Sequence, residues 1–105
     1  MKAIGIREAG GPDVLQLVDR PAPQPAPGDV VIAVAAAGVN RPDLMQREGR
    51  YPPPPGVTDI PGLEVAGTII AVGPDDERGA PRSACGRVLR AGDSVMALVA
   101  GGGYA

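Results

Sequence analysis

Glycine and proline interrupt this chain at short intervals. Sixteen glycines and thirteen prolines make up more than a quarter of the 105 residues, and they punctuate apolar runs instead of forming a low-complexity tract. Proline locks φ and removes a backbone donor, while glycine opens turn conformations that other residues avoid. The apolar runs between them are therefore short segments joined by turns, which is what a mainly β domain requires. Asp43 to Arg47 can form a single helical turn, with Pro42 at or near its first position and Gly49 beyond its end. It is too short to stand without tertiary support.

Met1 to Arg7 and Leu15 to Arg20 read as an opening hairpin around the turn signal Gly10-Gly11-Pro12-Asp13. Pro21 to Pro27 carries a proline at every second residue and reads as an extended connector. Val30 to Ala37 is apolar on both faces, so it is expected to be a central strand buried on both sides. Leu63 to Val72 is a second long strand, in which Gly67 signals a bulge or a close backbone approach. Gly73 to Ala91 holds seven charged residues and reads as a solvated loop. Gly92-Asp93 then turns the chain into a last strand, Ser94 to Ala100. The whole is expected to form one β-barrel or partly open barrel.

An apolar content of 44 % supports one modest core at this length. Ten basic and twelve acidic residues give a net charge of −2 and no clustered basic face, which disfavours nucleic acid and anionic membranes as partners. One cysteine, Cys85, and no histidine exclude an internal disulfide and a zinc site built from Cys and His. No run approaches the roughly 18 apolar residues of a membrane span. The expected setting is cytoplasmic.

Unusual polar residues concentrate between Ala36 and Gly73. Asn40 follows the apolar strand through Gly38, where it can serve as a functional amide or simply cap the chain into the turn. Asp43 suits the first turn of the helix through its charge and can equally anchor a neighbouring group. Tyr51, one of only two aromatic residues, stands beside the prolines Pro52 to Pro55 and can face a ligand or cover the core. Glu64 lies in an apolar strand, where a carboxylate needs a partner; an ion pair with Arg41, Arg47 or Arg50 is expected. Gly101-Gly102-Gly103 lacks the spacing and the following helix of a phosphate cradle. Cys85 has no histidine to serve as its base, which argues against a catalytic thiolate.

Taken together, GVNRPDLMQREGRYPPPPG, IPGLEVAGTIIAVG, GDSVMAL and GGGYA closely resemble the N-terminal catalytic domain of medium-chain dehydrogenases/reductases, specifically the zinc-free NADPH:quinone oxidoreductases of the zeta-crystallin type. The resemblance spans the chain and implies a GroES-like, partly open β-barrel with one or two short helical turns over residues 1–105. The zinc-dependent alcohol dehydrogenases of this family carry Cys where this chain has Asn40, and Gly-His-Glu where it has Gly62-Leu63-Glu64. The resemblance thus implies hydride transfer from NADPH to a quinone or enone with no metal, Asn40 contacting the cofactor and Asn40 with Tyr51 lining the reacting pocket. Asp43 and Glu64 are implied as supporting residues, and the full-length protein as a homodimer. No βαβ unit with a glycine-rich fingerprint is present, so the nucleotide-binding Rossmann domain is expected outside these residues. A stand-alone GroES-like binding or co-chaperonin-like module without enzymatic activity is the alternative from a different functional class.

Overall fold

The computed structural model describes residues 1–105 as two antiparallel sheets, one short helix and ordered loops. Strand β1 (Lys2–Ile6) pairs with β2 (Leu15–Asp19), the register running from Lys2 opposite Asp19 to Ile6 opposite Leu15. This is the expected hairpin, and a 3-10 turn over Pro12–Val14 closes it, with Val14 buried. The second sheet contains β3 (Val30–Ala37), β4 (Glu64–Val72) and β5 (Ser94–Leu98) in that order, all antiparallel. Helix α1 (Arg41–Arg47) sits between β3 and β4 in sequence, with Pro42 in its first turn. Gly49, at φ +84°, follows it in a conformation that favours glycine. Neither sheet closes on itself, so the barrel is open.

Strand β4, not β3, is the centre. It contributes Val65 and Ile69 to a small core shared with Ala3, Val14 and Ile60. Strand β3 lies at the edge of its sheet, none of its residues is fully buried, and Ala33 and Ala35 to Ala37 are exposed. The expectation of burial on both faces is therefore corrected. An apolar run shows that a strand can be buried; it does not say whether another layer covers each face.

Gly67 behaves as expected. A Cβ there would run into the backbone carbonyl of Ala33, and the β3–β4 register slips between Val34 and Ala36, directly beside it. The far face of the three-stranded sheet has no cover: Met96 is 81 % and Leu98 86 % exposed. Only 12 of 105 residues are buried, and the radius of gyration is 14.5 Å where a compact chain of this length has about 13 Å. No helix is long and apolar enough to cross a membrane.

Candidate functional site

The polar residues collect where β3 ends, α1 begins and β4 begins. Gly38 donates its backbone N–H to the carbonyl of Glu64 at 2.9 Å, tying the end of β3 to the start of β4. Two residues on, Asn40 has extended backbone angles (φ −123°, ψ 159°) and forms the N-cap of α1. Its backbone N–H donates to Asp43 Oδ2 at 2.9 Å, while the Asp43 N–H donates to the Asn40 carbonyl at 3.0 Å. An acidic residue in the first turn thus satisfies the backbone that leads into the helix and opposes the helix dipole favourably.

The side chain of Asn40 reaches across to β4, where its Nδ2 donates to Glu64 Oε2 at 3.0 Å. No arginine pairs with Glu64; the ion pairs of the surface, such as Lys2–Asp19 and Arg20–Asp59, lie elsewhere. The expected Glu64–arginine pair is therefore replaced by a carboxylate–amide bond. The physical reason is proximity: Asn40 follows directly from the strand paired to β4, and Gly38 leaves room for the carboxylate. A side chain at Gly38 would collide with the Glu64 carboxylate.

Asp43 is 5 % exposed and takes three hydrogen bonds on its two oxygens. Besides Asn40, the Gly62 N–H donates to Oδ1 at 3.3 Å and the Tyr104 hydroxyl to Oδ2 at 2.8 Å. Burial pushes the Tyr104 hydroxyl up to about 12, reinforced by its hydrogen bond to Asp43 and by that negative charge. Tyr104 is held in turn by its backbone, which donates to Pro61 O at 3.0 Å and accepts from Ile4 N at 2.9 Å. One carboxylate thus joins the helix, the approach to β4 and the C-terminal segment. Tyr104 is the residue that the candidate set missed. Its signal in the sequence was its rarity as one of two aromatics.

Tyr51 stands apart from this cluster. It is 38 % exposed and its side chain makes no hydrogen bond within the chain. A cleft of about 580 Å³ adjoins the cluster through Asp43 and Tyr104; apolar side chains such as Ile4, Leu17 and Leu44 form most of its wall, joined by Gln16 and Arg47. Asn40, Glu64 and Tyr51 are not among its walls. Nowhere do three or more Cys, Asp or Glu side chains come together in a way that could hold a metal ion. The glycines at 101–103 are occupied by the chain itself: Gly102 donates to Ile60 O at 2.8 Å and Gly103 to Gly62 O at 3.0 Å. Those amides are not free to cradle a phosphate.

Residues 26–104 match the family of the alcohol dehydrogenase GroES-like domain. The chain belongs to this family. Over 91 residues, this GroES-like domain is 43 % identical to the rat synaptic vesicle membrane protein VAT-1 homolog, covering 85 % of this chain and 20 % of that protein. It is 47 % identical over 74 residues to the quinone oxidoreductase of Lama guanicoe, covering 70 % of this chain and 22 % of the relative. The crystal structure of Escherichia coli quinone oxidoreductase complexed with NADPH superimposes on all of the domain and 29 % of that enzyme, with a TM-score of 0.75 and 32 % identity. The resemblance to quinone oxidoreductases and the GroES-like, mainly β class are borne out. The chain spans about a fifth of the length of these curated relatives.

Proposed function

We propose that this chain is the substrate domain of an NADPH-dependent quinone reductase that works without zinc, its nucleotide-binding domain lying in a longer polypeptide. The relatives named quinone oxidoreductase support that reading over a stand-alone co-chaperonin-like module. The observation that carries it is Asn40. At the position where zinc enzymes of the family place a cysteine, this chain has a side-chain amide bonded to Glu64 on a residue whose backbone N–H is tied to Asp43. Beside Glu64 the histidine position is Leu63, which cannot bind a metal.

The residues present fit the nicotinamide end of the cofactor and not its pyrophosphate. Gly102 and Gly103 have spent their amides, whereas Asn40 keeps hydrogen-bonding capacity beyond its bond to Glu64. When bound, NADPH supplies the hydride, and a proton from solvent completes reduction of a quinone to the hydroquinone. The protein's part is to orient the acceptor and exclude water. In this reading Asn40 bonds the cofactor or the acceptor oxygen. Tyr51, exposed and unbonded, presents its ring and hydroxyl to the acceptor. Asp43 ties down Asn40 through its backbone N–H at the start of α1. The same chemistry extends to an enone, whose conjugated carbonyl accepts hydride in the same sense. A cytoplasmic homodimer acting on small molecules completes the proposal.

The test is Tyr51→Ala in the complete enzyme. Quinone turnover is expected to fall; unchanged kinetics would remove Tyr51 from the site.

A further inference from the structure

The bond between Asn40 and Glu64 does more than join two strands. An ionised carboxylate only accepts hydrogen bonds, so the end of the Asn40 amide that faces Oε2 at 3.0 Å must be the NH2 group. Turned end for end, the amide would set its carbonyl oxygen against a carboxylate oxygen, two acceptors in contact. The backbone around this bond is fixed on both sides. Asn40 is anchored through its N–H to the buried Asp43, and Glu64 through its carbonyl to Gly38. Gly38 also leaves the space that the carboxylate fills. No arginine or lysine competes for Glu64, so its one side-chain partner within the chain is this amide.

We infer that Glu64 is the positioning residue of the site: it sets which end of the Asn40 carboxamide is turned away from β4 and therefore which hydrogen-bonding groups a ligand meets. With Glu64 in place the amide offers its carbonyl oxygen and its remaining N–H in one fixed arrangement. Without it, the two ends of the amide become nearly equivalent and the arrangement is lost. The ligand class is a planar carbonyl compound: the nicotinamide carboxamide can meet both groups of Asn40, and a quinone carbonyl only its remaining N–H. This inference rests on the reductase reading for its ligand but not for its geometry.

Two measurements separate those parts. In the isotope-labelled chain, a scalar coupling across the hydrogen bond between Asn40 Nδ2 and the Glu64 carboxylate carbon is expected, together with a downfield shift of the bonded Asn40 Nδ2 proton. Both should vanish in Glu64→Ala, and Glu64→Gln, whose own carbonyl can accept the same bond, should retain the downfield shift. Absence of the coupling in the unmodified chain overturns the inference whatever the enzyme does, and needs no variant to fold. In the complete enzyme, Glu64→Ala should lose about tenfold to a hundredfold in kcat, the scale set by misplacing a reacting partner, with Glu64→Gln recovering most of it. Equal loss in both variants overturns the positioning role. A coupling that is present in an enzyme that reduces no quinone leaves the positioning intact and sinks the reductase reading instead.

Discussion

The Tyr104 hydroxyl donates to Asp43 Oδ2 at 2.8 Å across 61 residues of sequence. Asp43 receives Asn40 on the same oxygen and Gly62 on the other, so this tyrosine is one of three donors that hold a buried carboxylate in place. A carboxylate taken out of water needs such donors, and removing one leaves part of its desolvation unrepaid.

Replacing Tyr104 with Phe is therefore expected to destabilise the domain by about 1–3 kcal/mol, the range for a hydrogen bond to a charged group, measured by urea unfolding near neutral pH. The variant should also change the alkaline limb. The hydroxyl sits at about 12 in the folded chain, above the ordinary tyrosine value near 10. A group whose pKa is raised by folding stabilises fully below its unfolded value. Its contribution is lost as pH rises through the folded one. Stability attributable to Tyr104 should thus decline between about pH 10 and about 12, and Tyr104→Phe should flatten that decline. An identical alkaline profile in both proteins would contradict the assignment.

Much of the fold was legible from local signals. The turn at Gly10 to Asp13 announced the hairpin, the apolar run fixed β3 at Val30–Ala37, and Pro42 with Gly49 framed the helix, which starts at Arg41. Long-range relations were harder to read. Edge or centre for β3 depends on which strands pair with it, and burial on what covers its alanines; the run of apolar residues encodes neither. A carboxylate in an apolar strand does need a partner, but charge alone points Glu64 to arginine, whereas strand pairing places Asn40 nearer. Asp43 was visible as a helix-start residue, and its tie to Tyr104 was not, because no periodicity connects a first helical turn to a segment 61 residues away.

Gly62 should tolerate no side chain. It has φ +105°, and a Cβ there would lie 2.7 Å from the Gly103 Cα and 2.8 Å from the Tyr104 backbone nitrogen. Those neighbours are backbone and cannot swing away. Gly62→Ala is expected to cost about 2–4 kcal/mol from left-handed strain and overpacking together, read from the urea midpoint. A loss under about 0.5 kcal/mol, the scale of a neutral surface change, would contradict this account of the C-terminal docking.

Asp43→Asn keeps the shape of the hub but leaves one accepting oxygen where three donors converge. The expected cost is about 1–3 kcal/mol, with faster hydrogen exchange at whichever of the Asn40 and Gly62 amides faces the new NH2 group and loses its acceptor. Unchanged protection at both amides would mean that Asp43 does not organise the start of α1.

Core truncation sets the scale for these numbers. Ile69, 1 % exposed at the centre of β4, should lose about 2–5 kcal/mol on replacement by Ala. A smaller loss would show that the thin core collapses around the gap.

We propose above that this chain is one domain of a quinone reductase. Oxidation of NADPH in the presence of a simple quinone, followed for this chain and for a polypeptide extended through the downstream reading frame, tests it most directly. Residues 1–105 alone are expected to give no turnover, and the longer polypeptide quinone-dependent NADPH consumption. No consumption by either would contradict it.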